Sequence, residues 1–152
     1  YITGSQTNDE RKRQVMTISG AISKWLAEYG EIVIETNHVS DGSDKYGLFK
    51  SPQRNTVSHV DYSYEITEYY QLLARLNSLS EDDRKDSDEL LEKLTYWADD
   101  YPFVHEYPAL DGNRQILNIS VTGSPYPLST DSSDTVYQLS IEITYTRERE
   151  GL

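Results

Sequence analysis

Residues 60–76 read Val-Asp-Tyr-Ser-Tyr-Glu-Ile-Thr-Glu-Tyr-Tyr-Gln-Leu-Leu-Ala-Arg-Leu. In the first half, Val60, Tyr62, Tyr64 and Ile66 alternate with Asp61, Ser63, Glu65 and Thr67. Period two places one set on each face of a β-strand. The continuation from Tyr69 to Leu76 fits two readings, a strand extended past a bulge or the start of a helix. Asn77-Ser78 and Ser80 mark a break before the next helix, which favours the strand.

Working outward, the N-terminal side supplies a helix and two strands. Ile18, Ile22, Trp25, Leu26 and Tyr29 recur at helical spacing over residues 17–29, and Gly30 is a stop signal. The β-branched run Glu31 to Thr36 predicts a strand. A loop rich in Asp, Ser and Gly spans Asn37 to Lys45. Tyr46 to Lys50 then predicts a short strand ended by Ser51-Pro52.

On the C-terminal side, residues 87–99 predict a helix. Leu90, Leu91, Leu94, Trp97 and Ala98 share one face, Asp86 or Ser87 caps the start, and Asp99 to Pro102 ends it. Alternation over Ile116–Val121 and Tyr137–Tyr145 predicts two strands, paired as a hairpin across a long loop from Gly123 to Asp134. The order is α-β-β-β-α-β-β. No helix recurs between strands as a βαβ unit would require. The expected fold is therefore α+β: a largely antiparallel sheet of about five strands with both helices on one face. The other face is left for solvent or a partner.

The 152 residues fit one domain, assigned to 16–152. Residues 1–15 are polar and aperiodic, and read as a disordered leader foreign to the fold or as a truncated native tail. The absence of cysteine excludes disulfides and thiolate chemistry and suits a reducing compartment. A formal charge of -12 repels phosphate, so free nucleic acid is not an expected ligand. No apolar run is long enough to cross a membrane as a helix, and no membrane partner is expected.

Sites for chemistry are sparse. His38, His59 and His105 lie far apart and lack metal-ligand spacing, so no metal or cofactor is expected. Asp41-Gly-Ser-Asp44 and Asp131-Ser-Ser-Asp134 resemble half of a calcium loop, but turn chemistry explains them better. No serine sits in a nucleophile elbow. Carboxylates such as Glu65 and Glu68, or Asp99 and Asp100, are too common here to mark an acid/base pair. Asn118-Ile-Ser120 is a glycosylation sequon inside a predicted strand, and carries no weight without a secretion signal. The chain is read as non-enzymatic.

Tyrosine is the informative residue, with thirteen copies. Tyr62, Tyr64, Tyr69 and Tyr70 cluster in one strand region, and Tyr137 and Tyr145 in another. They fill a core in place of Phe, or they form a sheet surface that meets another subunit. On the second reading these six are interface residues. Asp41, Asp44, Tyr46, Tyr126, Asp131 and Asp134 then lie on or beside the docking loops 37–45 and 123–134.

The stretch Tyr69-Tyr-Gln-Leu-Leu-Ala-Arg75, the helix Leu90-Leu-Glu-x-Leu-x-x-Trp97 and the strand Val136-Tyr-Gln-Leu-Ser-Ile-Glu-Ile-Thr-Tyr145 carry a resemblance. Together they resemble small minor capsid or tail-terminator proteins of long-tailed bacteriophages and prophages. The likeness spans residues 16–147 in order. It implies a subunit that forms a ring with copies of itself, possibly a hexamer, at the head–tail junction of the virion. Such a ring is assembled in the cytoplasm of the bacterial host. It ends growth of the tail tube and contacts both the tail-tube protein and a head completion protein. An acidic lumen would let DNA pass without sticking. The alternative is a cytosolic protein-binding module that uses a Tyr-rich sheet face.

Overall fold

In the computed structural model, residues 16–30, 32–42, 44–130 and 133–150 are described. The assignment of residues 1–15 as a leader, and the role given to Asp131, lie outside them.

The stretch that decides the fold is a strand, and it occupies the middle of the sheet. β3 (Tyr64–Asn77) alternates without interruption: Ile66, Glu68, Tyr70, Leu72, Ala74 and Leu76 are buried on one face. It pairs antiparallel with β5 (Asp134–Arg147) from Tyr64 opposite Arg147 to Asn77 opposite Asp134, with no bulge. Leu139, Ile141, Ile143 and Tyr145 of β5 fall on the same buried face.

The start of that strand differs from expectation. Residues 60–63 are a loop, not its first turns. The Asp61 carboxylate accepts from the Ser63 backbone N–H at 3.0 Å and from its hydroxyl at 2.6 Å. Tyr62 takes a positive φ of 69°. A short Asp bonding two residues ahead offers the backbone a turn that competes with the ladder. Alternation alone does not register that competition. Val60 is left 99% exposed.

Two breaks read from sequence are bulges instead. β2 (Lys45–Ser58) passes through Ser51-Pro52, with its register to β3 shifting between Lys50 and Arg54. Proline is tolerated there because β1 does not reach this part of β2 and a bulge removes the need for its N–H. Likewise β4 (Arg114–Thr130) runs on through Gly123, Pro125 and Pro127, with register shifts at 116/118, 122/126 and 127/129. The long loop expected over 123–134 is mostly this irregular strand. Gly123 supplies a φ of 75° at one of the shifts.

β1 (Ile34–Thr36) pairs parallel to β2 over Tyr46–Leu48, giving the sheet order β1-β2-β3-β5-β4. The element order is α-β-β-β-α-β-β, and the fold is α+β with a mostly antiparallel sheet.

α1 (Ile18–Ala27) starts at Thr17, whose hydroxyl accepts from the Gly20 N–H at 3.0 Å. It buries Ile18, Ala21, Ile22, Trp25 and Leu26. Tyr29 lies past its end and donates its phenol to the Leu90 carbonyl, tying α1 to the next helix. That helix, α2 (Glu81–Val104), is longer than the predicted 87–99. Its cap is Ser80, paired reciprocally with Asp83, and not Asp86 or Ser87. Ser87 is buried in the helix and donates to the Asn77 carbonyl. Asp99 to Pro102 does not stop the helix, which accommodates Pro102 in its last turn.

Both helices share one core with the buried face of the sheet. Trp25 and Trp97 pack with centroids 4.9 Å apart, and Tyr101 meets both edge-on. The other sheet face is polar. Thr67 bonds Thr144 at 3.1 Å, and Gln71 accepts from Gln138 at 2.8 Å and Ser140 at 3.1 Å.

Candidate functional site

The tyrosines do not form one surface. Strand alternation sends Tyr70 and Tyr145 to the helix-covered face, where they are 1% and 5% exposed. Tyr46 is also buried, in β2, and is core rather than part of a docking loop. Of the six proposed interface tyrosines, only Tyr69 belongs to the polar open face, where Asn55 donates to its hydroxyl at 3.3 Å. Tyr137 is half-buried against the core. Tyr62 and Tyr64 lie at the β2–β3 turn beneath the Arg149 guanidinium, with Arg147 also over Tyr64.

The docking-loop residues are equally dispersed. Asp41 is exposed, and Asp44 is exposed with a φ of 59°. The backbone of their loop is held at Ser40, whose N–H donates to Glu35 and whose carbonyl accepts from Arg75. Asp134 pairs with Arg75 at 3.5 Å at the start of β5. Tyr126 is half-exposed on β4, the outermost strand on its side.

What the structure does bring together is a group that sequence reading passed over. Glu68 occupies an inward position of β3, between Ile66 and Tyr70, and is 3% exposed. Tyr145 donates to one carboxylate oxygen at 2.7 Å and Tyr70 to the other at 3.1 Å. Lys50 reaches it at 3.3 Å and Arg54 at 3.8 Å. Those two cations flank the β2 bulge, so one buried carboxylate holds both sides of it. Burial, reinforced by the Glu68 carboxylate, pushes the Tyr145 phenol up to about 12. Burial raises Tyr70 as well. The sequence signal was available: an acidic residue in the inward phase of the alternation.

Beyond the bulge, β2 runs on along β3 as the outer strand of a four-stranded stretch that continues through β5 to β4. Residues 53–62 are exposed throughout, including Val57, Val60 and Tyr62. Among the described residues, no strand pairs with the outer edge of β2 past Leu48. Among the described residues, β4 is the open edge on the opposite side. A long unpaired edge is a template for another strand, so such an edge is either blunted or used.

No family model matches the chain, and a search of curated proteins gives no match.

The remaining features are shallow. A cleft of about 620 Å³ lies between the end of α2 and β4, lined by Pro102, His105, Glu106, Tyr107, Arg114 and Leu117. His105 and Glu106 are both exposed there. His59 approaches Glu65 at 3.9 Å beside the β2–β3 turn. Among the described residues, no group of three or more His, Cys, Asp or Glu is placed to hold a metal. Among them too, no helix is long and apolar enough to cross a membrane.

Proposed function

We propose that this chain is a non-enzymatic structural subunit. It assembles with copies of itself into a ring that ends the tail tube of a long-tailed phage and joins the tail to the head. The observation that carries the reading is the distal part of β2 and its turn into β3. It exposes Val57, Val60 and Tyr62 beside an outer edge that no strand pairs among the described residues. Apolar side chains beside free backbone donors and acceptors are costly for an isolated molecule and useful to a subunit. The chain's resemblance to tail terminators supplies the identity of the assembly. Its acidic charge suits a ring through which DNA passes.

A binding module built on a Tyr-rich sheet face is less well supported. Tyr70 and Tyr145 are buried, and the open face is a ladder of Thr, Gln and Ser.

Light scattering over a wide concentration range, with and without the tail-tube protein of the same genome, tests the proposal. The expected result is a discrete ring, alone or on adding tube protein. A monomer that ignores tube protein at every concentration overturns it.

A further inference from the structure

The two edges of the sheet match each other in level. One row across the sheet runs Ile34, Tyr46, Ala74, Tyr137, Pro127. There β1 covers the β2 edge, and on the far side Pro125 and Pro127 blunt β4 amid its register shifts. Proline on an edge lacks the donor an added strand needs. Another row runs Arg54, Glu68, Ile143, Ile119. At this level both edges are open among the described residues: β2 from Arg54 to Ser58, and β4 from Ile119 back to Arg114, with one register shift between Ile116 and Asn118.

The backbone of the β2 edge points outward in a known phase. His59 donates to Ser63 across the turn, so 59/63, 57/65 and 55/67 are the hydrogen-bonded pairs of the antiparallel ladder. Arg54, Thr56 and Ser58 therefore turn their N–H and C=O groups away from β3. Strand direction also fits. β2 and β5 run one way, β3 and β4 the other. A neighbour related by rotation about an axis along the strands brings its β4 antiparallel to β2.

Charge matches on the helix side. Lys50 and Arg54 share one carboxylate and remain 53% and 50% exposed at the β2 edge. α2, which packs chiefly on β4, carries nine Asp and Glu against three Arg and Lys. Asp88, Glu92, Tyr96, Asp99 and Phe103 form an exposed stripe along it at helical spacing, and Asp88, Glu92 and Tyr96 border Ser124 and Pro125 of β4.

We infer that copies of this chain join head to tail, the Arg54–Ser58 edge of one adding antiparallel to the Arg114–Ile119 edge of the next, with Arg54 level with Ile119. Lys50 and Arg54 of the first then face the Asp88–Glu92–Asp99 stripe on α2 of the second. The contact is heterologous, so it gives a ring where the rotation closes and not a two-fold dimer. This assignment rests on the ring reading above and names its interface.

Two variants test it. Thr56→Pro removes an outward N–H and no bond to β3. Glu92→Lys combined with Asp99→Lys reverses the stripe. Far-UV circular dichroism checks that each keeps the fold, and light scattering gives the mass. Each variant alone is expected to be monomeric where the unmodified protein forms rings. An equimolar mixture is expected to stop at a dimer, because each copy keeps one working edge. Rings from folded Thr56→Pro overturn the edge pairing and leave the ring reading intact. A two-fold dimer of the unmodified protein overturns the head-to-tail contact. An unmodified protein that stays monomeric even with tube protein overturns both. If Thr56→Pro loses the fold, the charge-reversed variant decides alone: rings from it overturn the inference.

Discussion

The Tyr145 hydroxyl donates to the buried Glu68 carboxylate at 2.7 Å, across two adjoining strands and 77 residues of chain. Tyr70, Lys50 and Arg54 complete the ring of donors. Removing the charge while keeping the shape isolates the carboxylate's role. Glu68→Gln weakens every charge-assisted bond to this site and leaves two cations without their anion. Because Lys50 and Arg54 are half-exposed, solvent screens part of the loss. The expected destabilisation is about 2 kcal/mol, a typical cost for disturbing a buried charged hydrogen-bond group. Urea unfolding measures it, and an unchanged midpoint would contradict the role given to Glu68. Tyr145→Phe should cost about 1 kcal/mol, the usual worth of one hydrogen bond.

Burial sets the alkaline limit of the fold. Tyr46, Tyr101 and Tyr145 are each pushed up to about 12 from 10.0, by burial first and by neighbouring acidic groups second. The folded protein holds those protons where the unfolded chain releases them. This contribution is fully present below pH 10 and is lost as pH rises toward 12. Stability should be flat with respect to these groups at neutral pH and fall steeply above pH 10. Absorbance at 295 nm should show a late-titrating class of tyrosines whose ionisation coincides with loss of ellipticity. A single titration near pH 10 with the fold intact would contradict it. Tyr101→Phe, which removes the phenol held by Glu28, should shallow the alkaline slope.

The fold was legible because its strands and helices carry strong periodic signals. Ile18 to Leu26 and Leu90 to Ala98 each mark a helix face, and the alternation in residues 64–76 and 137–145 marks the two central strands. Boundaries were less legible because local signals have two physical outcomes. Pro52, Pro125 and Pro127 can end a strand or sit on its free edge, and only the sheet order separates these. Ser80 was read as part of a break, although its spacing to Asp83 is that of a reciprocal cap. The tyrosine surface failed for a related reason. Tyr69 and Tyr70 are neighbours in sequence and therefore point to opposite faces of one strand. Glu68 was hidden because acidic residues are abundant here, and abundance masks the one placed in the buried phase.

Gly47 is required by a close approach. A Cβ there would lie 2.1 Å from the His38 carbonyl oxygen, where the loop after β1 crosses β2. Gly47→Ala must displace backbone, not the end of a flexible side chain. Overpacking of this kind costs about 1–3 kcal/mol. Because β1 and the Glu35–Ser40 contacts adjoin the crossing, the loss should be local as well as global. Hydrogen exchange at Asn37, whose N–H donates to the Leu48 carbonyl, should accelerate more than exchange in β5. Unchanged stability and exchange would place the loop elsewhere.

Ser80 starts α2, and its removal tests where the helix begins. Its hydroxyl accepts from the Asp83 N–H at 3.1 Å, while the Asp83 carboxylate accepts from the Ser80 N–H at 3.2 Å. Glu81, Asp82 and Asp83 add negative charge at the positive end of the helix. Ser80→Ala leaves the Asp83 N–H to solvent and should cost about 1 kcal/mol. The matching substitution at the other proposed start has a different signature. Ser87→Ala removes a buried bond to the Asn77 carbonyl within the second turn, so it should weaken docking of α2 on β3 without fraying the first turn. Exchange of the amides of residues 83–86 separates the two cases. Faster exchange in Ser80→Ala than in Ser87→Ala is expected, and the reverse order would return the helix start to residue 87.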